Sequence, residues 1–270
     1  MTKQRADILL AEQGLFHSRS AAQRAIMAGL VSDHNHQRID KSGTKFPEGE
    51  KFYVKDDGKK YVSRGGFKLE KALKVFNIDL TDKICLDIGA STGGFTDVAL
   101  KNGAQMVYAL DVGYNQLAWQ LRDDPRVVVM EKQNFRYSKP EDFDQGLPDF
   151  AMTDVSFISL DLIMAPMYAI LKNQCDAVCL IKPQFEAGPE NVGKHGIVHD
   201  HEVHKAVIEH TMQKALEIGF NVLGVDYSPI KGGKGNIEFL IHLQKDEANG
   251  GRNLWQGSPA EVVERAVSGL

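Results

Sequence analysis

Hydrophobic and polar positions divide the chain into a short first part and a longer second part. In residues 5–30 apolar positions recur at helical spacing with a break at Gly14, which predicts two short helices. A serine within residues 17–20 is expected to cap the second helix. Short extended segments follow, separated by turn-forming residues, near Val31, at 38–39 and at 51–54. The pattern predicts a small α+β module that ends at the polar residues 55–60.

The longer second part alternates strand and helix patterns, which predicts a mainly parallel sheet covered on both faces. Seven strands are expected, at residues 84–88, 106–111, 127–130, 150–153, 177–181, 221–227 and 237–243. Only residues 228–236 separate the last two strands, too few for a crossover helix, so these strands should pair antiparallel at one edge. The fold class is therefore α/β, with the seven-stranded Rossmann-like sheet typical of methyltransferases. Ser258 and Pro259 then predict the start of a short final helix.

Composition places the chain among ordinary globular proteins, with 43% hydrophobic and 25% charged residues. The three cysteines lie in apolar runs, which favours core side chains over disulfides or a metal site. The apolar residues 157–171 are expected to form a packed core helix, because Asp161 and Pro166 interrupt them and they are too few to cross a bilayer. The first residues carry no secretory pattern, so we expect a cytoplasmic protein without membrane association.

Charge is distributed unevenly along the chain. Residues 1–68 hold 13 Lys and Arg against 8 Asp and Glu, whereas the remaining residues hold 19 against 28. A basic module joined to an acidic domain is a reasonable arrangement for a protein that docks on RNA with one part and acts with the other. A chance surplus of solvated lysines would give the same count.

A glycine-rich segment follows the first predicted strand of the longer part. Asp87, Gly89, Gly93 and Gly94 lie between a buried strand and a helix expected to begin near Phe95, where backbone can approach a nucleotide closely. The spacing differs from the dinucleotide fingerprint and favours S-adenosylmethionine, although a nicotinamide cofactor or a structural turn stays possible. Asp111 should accept the ribose hydroxyls. The expected cofactor-binding residues are Asp87, Gly89, Ala90, Ser91, Thr92, Gly93, Gly94, Phe95, Asp111 and Val112.

Four further segments carry a family resemblance. They are Ser-Arg-Gly-Gly-Phe-Lys-Leu at 63–69, Thr-Asp-Val-Ser-Phe at 153–157, Leu-Ile-Lys-Pro-Gln-Phe-Glu at 180–186 and Gly-Asn-Ile-Glu-Phe-Leu at 235–240. Together they resemble the hemolysin A (TlyA-type) rRNA ribose 2′-O-methyltransferases, whose catalytic domain is similar to FtsJ-type enzymes. The resemblance implies an N-terminal ribosomal-protein-S-four-like RNA-binding domain and a ribosomal RNA or ribosomal subunit as partner. Arg5, Arg19 and Arg24 lie in the segments that look like this domain.

The resemblance also implies a catalytic tetrad, Lys68, Asp154, Lys182 and Glu238. Asp154 and Lys182 follow parallel strands, where open α/β sheets gather their sites. We expect Lys182 to favour the developing alkoxide of a ribose hydroxyl, with Asp154 and Glu238 orienting its ammonium and keeping it protonated. Lys68 would hold the target ribose or its phosphate, and Arg64 would add a phosphate contact.

The expected domains are an RNA-binding domain at 1–60, a linker at 61–66, a methyltransferase domain at 67–246 and a tail with a short helix at 247–270. Histidines 195, 199, 201 and 204 lie close in sequence, but no cysteine or carboxylate of zinc-site spacing accompanies them, so no metal is expected. Residues 186–200 should form a mobile segment over the substrate. The alternatives for function are a hemolysin-like membrane-active protein and a non-catalytic ribosome-assembly factor. No export signal or basic amphipathic segment supports the first, and the intact tetrad argues against the second.

Overall fold

The computed structural model describes residues 3–16, 18–55 and 60–270. The strands are β1 (Lys3–Arg5), β2 (Val31–Ser32), β3 (Lys45–Pro47), β4 (Tyr53–Val54), β5 (Ile84–Ile88), β6 (Met106–Asp111), β7 (Val127–Glu131), β8 (Phe150–Thr153), β9 (Asp176–Ile181), β10 (Phe220–Tyr227) and β11 (Phe239–Lys245). The helices are α1 (Ala6–Glu12), α2 (Arg19–Met27), α3 (Gly66–Val75), α4 (Gly94–Lys101), α5 (Trp119–Arg122), α6 (Asp161–Ile170), α7 (Pro183–Glu186), α8 (His201–Ile218) and α9 (Pro259–Gly269). Of the predicted linker and cap segments, residues 56–59 and His17 lie outside the described residues.

The first part of the chain has its own small core. Helices α1 and α2 pack through Leu10 and Ile26, which are fully buried with Phe52 in one cluster. The hydroxyl of Ser18 accepts a hydrogen bond from the amide of Ala21, so the predicted serine cap is confirmed. The pairing of β1 with β3 was not predicted, because both strands are short and largely polar and β3 ends at Pro47.

The seven-stranded sheet has the order β10-β11-β9-β8-β5-β6-β7. Strands β5 to β9 are parallel, whereas β11 pairs antiparallel with both β9 and β10. The predicted α/β class, the seven strands and the antiparallel pair at one edge are all confirmed. The sequence did not show which strand of the pair lies at the edge. In the structure β10 is the edge strand, and β11 lies between β10 and β9.

Helices cover both faces of this sheet. Met164 of α6, Ile208 of α8 and Val262 of α9 belong to the cluster on one face. Leu69 of α3 and Val98 of α4 belong to the cluster on the other face. The strands between them are therefore buried on both sides, which explains why their sequences read as continuous apolar runs.

The proposed linker and tail are packed rather than extended. Tyr61 is buried in the cluster that contains α3 and α4, and Gly66 already belongs to α3. In the proposed tail, the hydroxyl of Ser258 accepts from the amide of Glu261 and caps α9, as predicted. Helix α9 then packs on α8 and β10.

The prediction that residues 157–171 form one core helix is wrong at its start. Helix α6 begins only at Asp161, and Phe157 lies in the preceding loop with 90% of its surface exposed. Cys85 and Cys179 are buried in the core as expected, and Cys175 is partly buried. Within the described ranges, none of the helices has the length and apolar character needed to span a bilayer.

Candidate functional site

The candidate site lies at the topological switch point of the sheet, where the strand order reverses. From β5 the chain continues outward through β6 and β7, whereas β8 returns to the other side of β5. The carboxyl ends of β5 and β8 are therefore neighbours, and the crevice above such a switch point is the usual ligand site of open α/β sheets. The amide of Asp154, after β8, donates to the carbonyl of Ile88 at the end of β5 over 3.3 Å.

The glycine-rich loop after β5 needs its glycines. Gly89 and Gly93 have φ values of 83° and 94°, a region that glycine adopts without strain. A Cβ atom at Gly93 would lie 2.3 Å from the Cδ1 atom of Leu121, and one at Gly89 would lie 3.0 Å from Cγ1 of Val155. The loop is thus held between two neighbouring segments, and α4 begins directly behind it, as predicted.

The structure divides the ten expected cofactor-binding residues into two groups. Gly89, Ser91, Thr92, Asp111 and Val112 are exposed or partly exposed. Asp87, Ala90, Gly93, Gly94 and Phe95 are buried. The first group can contact a ligand directly, Gly89 through its backbone and the other four also through side chains, whereas the second group supports the loop from the core side.

Asp87 differs from its expected role as a ligand contact. Its carboxylate accepts hydrogen bonds from the amide and the hydroxyl of Thr96, over 2.9 and 2.7 Å, in the first turn of α4. Burial raises the pKa of Asp87 to about 7, against the effect of the two hydrogen bonds from Thr96. Asp87 is buried and therefore supports the loop and the helix start.

Asp111 lies at the end of β6, where a nucleoside ribose was expected. One carboxylate oxygen accepts from the amide of Ser91 and the other from the amide of Gly113, each over 2.7 Å. Each oxygen keeps a second lone pair for a hydroxyl donor. The partly exposed carboxylate therefore has the free acceptor sites that two ribose hydroxyls would need, and its contact with a nucleoside stays a prediction.

The four expected catalytic residues meet in one chain of ion pairs. The ammonium of Lys182 lies 2.5 Å from Oδ1 of Asp154, and the other oxygen of Asp154 lies 3.0 Å from the ammonium of Lys68. Lys68 also lies 2.7 Å from a carboxylate oxygen of Glu238. Side chains of opposite charge thus alternate across this end of the sheet. They come from α3, from the ends of β8 and β9, and from the start of β11.

Strand direction explains how Glu238 reaches this end. Because β11 runs antiparallel to β9, its start lies beside the end of β9, and Phe239 pairs with Ile181. Glu238 and Lys182 are the next residues outward on the two strands. The antiparallel strand therefore brings an acidic residue to the edge where the parallel strands end.

The charges of Lys68 and Asp154, two members of the tetrad, are stabilised in the ionised form. Burial opposes the charge of Lys68, but Asp154 and Glu238 outweigh burial and hold the pKa of Lys68 above its ordinary value. Burial also opposes the charge of Asp154, yet Lys68 and Lys182 hold the pKa of Asp154 below its ordinary range. These groups therefore stay charged near neutral pH.

One expectation about the tetrad needs correction. Glu238 pairs with Lys68 and not with Lys182, whose second contact is a hydrogen bond of 2.9 Å to the hydroxyl of Ser156. The side chain of Lys68 is 9% exposed and lies between the carboxylates of Asp154 and Glu238. Lys68 is therefore placed to fix these two carboxylates, and its contact with the target ribose or its phosphate stays a prediction.

Sequence reasoning missed the aromatic residues beside the tetrad. Phe157 follows Ser156 directly, has a φ of 63° and contacts Phe185 with ring centroids 5.1 Å apart. The sequence held a signal for this, since Ser159 and Asp161 are residues that begin helices and would have left Phe157 in a loop. The tetrad thus has an exposed aromatic surface at its side.

The expected RNA-binding arginines differ in their surroundings. Arg5 and Arg19 both pair with the buried carboxylate of Asp7, over 2.9 and 2.8 Å, yet keep 38% and 52% of their side chains exposed. Arg24 and Arg64 are exposed. Each of the four can therefore reach a partner from solvent.

The histidine-rich region is held by hydrogen bonds. The ring of His204 is buried and bonds the carbonyl of Val198 over 3.2 Å, and Asn236 binds both Gly196 and Val198. In the part of the chain that the structure describes, no three His, Cys, Asp or Glu side chains converge as a metal site requires. The mobility of residues 186–200 stays a prediction.

Comparison with known proteins agrees with the geometry. The chain matches the FtsJ-like methyltransferase family over residues 61–245. A Bacillus subtilis protein provisionally named rRNA methyltransferase YqxC is 53% identical over 265 residues, which are 98% of this chain and 94% of that protein. The 16S/23S rRNA (cytidine-2′-O)-methyltransferase TlyA of Mycobacterium tuberculosis is 40% identical, over 98% of this chain and 97% of that protein.

A solved structure from Streptococcus thermophilus, provisionally named a hemolysin, is 52% identical with a TM-score of 0.76, and covers 100% of this chain and 97% of that one. The resemblance drawn from the four sequence segments is confirmed by these relatives. With its family match covering most of its length, the chain belongs to the FtsJ-like methyltransferase family.

Proposed function

We propose that this protein transfers a methyl group from S-adenosylmethionine to a ribose 2′-hydroxyl of ribosomal RNA. The observation that carries the proposal is the continuous series of ion pairs Lys182, Asp154, Lys68 and Glu238 beside the glycine-rich loop. The name of the Mycobacterium tuberculosis relative supports a cytidine of 23S or 16S rRNA as the target. A ribosomal substrate would place the enzyme in the cytoplasm.

The cofactor supplies the electrophile of the reaction. Bound S-adenosylmethionine offers a methyl group on a sulfonium, which leaves as a neutral thioether, so the departing group needs no assistance. The exposed residues Ser91, Thr92 and Val112, together with Asp111, are the groups that would hold its nucleoside. What the protein must still provide is activation of a weakly acidic hydroxyl.

Lys182 would provide that activation by charge. Its ammonium is fixed by Asp154 and Ser156, so it is preorganised toward the place where negative charge develops on the attacking oxygen. The new bond joins this oxygen to the methyl carbon, the electron pair of the broken carbon–sulfur bond stays on sulfur, and the hydroxyl proton leaves to solvent. Lys68 and Glu238 would act by holding Asp154 in place.

The exposed ring of Phe157, together with the partly exposed ring of Phe185, would receive the base of the target nucleotide. A ribose in a folded RNA reaches such a site only if its nucleotide is turned out of the stack, and aromatic rings stabilise bases that are turned out. Phe157 lies one residue from Ser156, which touches the catalytic lysine. A base on the rings would bring its own ribose close to Lys182.

The first part of the chain would bring the RNA to the site. We propose that residues 1–60 form the RNA-binding domain, joined through 61–66 to a catalytic domain at 67–246 with 247–270 as its C-terminal extension. The separate core of the first part and its exposed Arg5, Arg19 and Arg24 support this division. Arg64 would add a contact at the entrance to the catalytic domain.

The activity can be tested with purified protein, radiolabelled S-adenosylmethionine and unmodified ribosomal subunits. We expect label in rRNA, located at a nucleotide whose phosphodiester bond resists alkaline hydrolysis, because 2′-O-methylation removes the internal nucleophile. Label that stays alkali-sensitive would move the methyl group to a base, and absence of label would contradict the enzyme. Lysis of erythrocytes by the protein is the matched assay for the hemolysin alternative.

Phe157→Ala should lower kcat/KM for RNA by about 30-fold, because one base–aromatic stack contributes roughly 1–3 kcal/mol. Phe157→Tyr keeps a ring and should stay within about threefold of the wild type. Steady-state methylation with varied RNA measures both, and cofactor affinity should not change in either variant. Equal activity of Phe157→Ala and wild type would contradict the stacking role.

A further inference from the structure

The loop of residues 154–160 is attached at both ends to the segment that follows β9. At its first end, Lys182 binds Asp154 over 2.5 Å and Ser156 over 2.9 Å. At its other end, one carboxylate oxygen of Glu186 accepts from the hydroxyl of Ser159 over 2.6 Å. Lys182 is the N-cap of α7 and Glu186 is its last residue. These two residues, four positions apart, thus hold the two ends of one loop.

Glu186 also completes the start of a helix to which it does not belong. Its second carboxylate oxygen accepts from the amide of Leu160 over 2.9 Å, while the hydroxyl of Ser159 accepts from the amide of Asp161 over 3.1 Å. Leu160 occupies the N-cap of α6 and has no side chain able to cap it. The amide of Leu160 is therefore satisfied from outside the helix, by a carboxylate placed where a helix start favours negative charge. The amide of Asp161 is satisfied by the hydroxyl that this carboxylate holds in place.

Between the two attachments the backbone adopts a conformation that it would not hold by itself. Phe157 has a φ of 63° and an almost fully exposed side chain. A bulky residue in the left-handed region costs about 1–3 kcal/mol and persists only where its surroundings enforce it. The ring contact to Phe185 is the one aromatic contact of Phe157 among the described residues. Besides the packing of Val155, Ile158 and Leu160 on the core, the anchors at Lys182 and Glu186 are what enforces the loop.

We propose that Glu186 is a positioning residue that fixes the 154–160 loop, so that Phe157 is presented to the target nucleotide at the correct distance from Lys182. The inference rests on the proposed role of Phe157 in the methyl transfer. It assigns no contact between Glu186 and RNA or cofactor, since its two oxygens already bind Ser159 and Leu160. A displacement of this loop by about 1 Å can lower a rate by about 100-fold.

The test compares Glu186→Ala with Glu186→Gln. The alanine variant should lower kcat/KM for RNA by about tenfold or more, with cofactor affinity within about twofold of the wild type. The glutamine variant should stay within about threefold, because its oxygen can accept from Leu160 and its amide can donate to Ser159. Amide hydrogen exchange should become faster in peptides covering 154–162 of the alanine variant, and not in peptides covering 86–97.

Ser258→Ala is the matched control, because it also removes a side-chain cap, at the start of α9 and away from the site. It should change thermal stability without changing kcat/KM. If Glu186→Ala fails to fold, Ser159→Ala decides instead, since it removes the same hydrogen bond to a charged acceptor from the other side and should cost about tenfold in kcat/KM.

Three results would overturn the inference. They are unchanged kcat/KM in the alanine variant, a parallel loss of cofactor affinity, and a glutamine variant as impaired as the alanine variant. The Phe157 variants keep this separate from the proposed function. If Phe157→Ala lowers kcat/KM and Glu186→Ala does not, only the role of Glu186 is contradicted. If Phe157→Ala has wild-type kcat/KM, the proposed stacking role of Phe157 is contradicted.

Discussion

Asp7 in the first part and Asp154 in the catalytic part show two uses of the same arrangement. Each carboxylate binds two cationic side chains, Arg5 and Arg19 in one case and Lys68 and Lys182 in the other. The arginines of Asp7 keep 38% and 52% of their side chains exposed, whereas the lysines of Asp154 keep 9% and 8%.

In the proposed function, the difference in exposure separates residues that bind RNA from residues that take part in catalysis. An exposed guanidinium that is fixed on one side can still contact a phosphate with its remaining N–H groups, and it loses little flexibility in doing so. A buried ammonium acts more strongly on a charge that develops beside it, because water no longer screens the interaction. The first arrangement leaves positive charge accessible to a partner in solvent, and the second holds positive charge in a buried environment.

The largest expected effect follows from removing one cation of the buried pair. Lys182→Ala should lower kcat by about 10³- to 10⁴-fold, because the fixed charge beside the attacking oxygen is lost. Arg19→Gln, which removes one cation from Asp7, should leave kcat at saturating RNA unchanged. Single-turnover methylation of both variants measures the contrast. Wild-type turnover in Lys182→Ala would show that the two arrangements do not differ in function.

Asp87 sharpens the comparison because it is a buried carboxylate that pairs with no cation among the described residues. Burial raises its pKa to about 7, whereas the cations hold the pKa of Asp7 and Asp154 below the ordinary value. A raised pKa in the folded state stabilises the fold below the unfolded value near 4, and this stabilisation is lost as pH rises through the folded value.

Relative to Asp87→Asn, the wild type should therefore lose up to about 4 kcal/mol of unfolding free energy as pH rises from about 4 to about 8. Urea unfolding of both proteins across this range measures the difference. Parallel stability curves for the two proteins would contradict the assignment of a protonated Asp87 at mildly acidic pH.

The smallest expected effect concerns Asp7 and its two partly exposed arginines. Asp7→Asn should destabilise the first part of the chain by about 2 kcal/mol, because Arg5, Arg19 and Gln23 lose a buried charged acceptor. RNA affinity should fall a few-fold and kcat at saturating RNA should not change.

Asp40→Asn is the control for this change, since it breaks an ion pair whose two side chains, Arg38 and Asp40, are both exposed. Such pairs contribute little, so neither stability nor RNA affinity should change. Filter binding and thermal unfolding check both variants. An Asp7→Asn protein with wild-type RNA affinity would show that the orientation of Arg5 and Arg19 has no part in binding.

Much of the fold could be predicted because the buried strands of the sheet have strong patterns. The bounds predicted for β5, β6 and β8 agree with the structure, since apolar runs between polar turns are typical of strands buried on both faces. Strands β1 and β3 could not be predicted. They have three residues each, and their pairing depends on the antiparallel partner and not on their own composition.

The members of the site were predictable, but their partners were not. Motifs pointed to Lys68 and Glu238 separately, yet nothing in the sequence showed that residues 170 positions apart would pair with each other. That pairing follows from the insertion of β11 beside β9, a matter of sheet order. Phe157 was missed for a simpler reason, because its apolar neighbours extend the hydrophobic pattern of α6 backwards into the loop.

The place of β11 inside the sheet has a consequence for biosynthesis. Residues 239–245 leave the ribosome late, yet they fill the position between β9 and β10. Until they arrive, β9 is an open edge and Lys68 lacks one of its two carboxylate partners. A nascent chain can therefore complete its glycine-rich loop before its tetrad, so that the order of translation also orders the formation of the two parts of the candidate site.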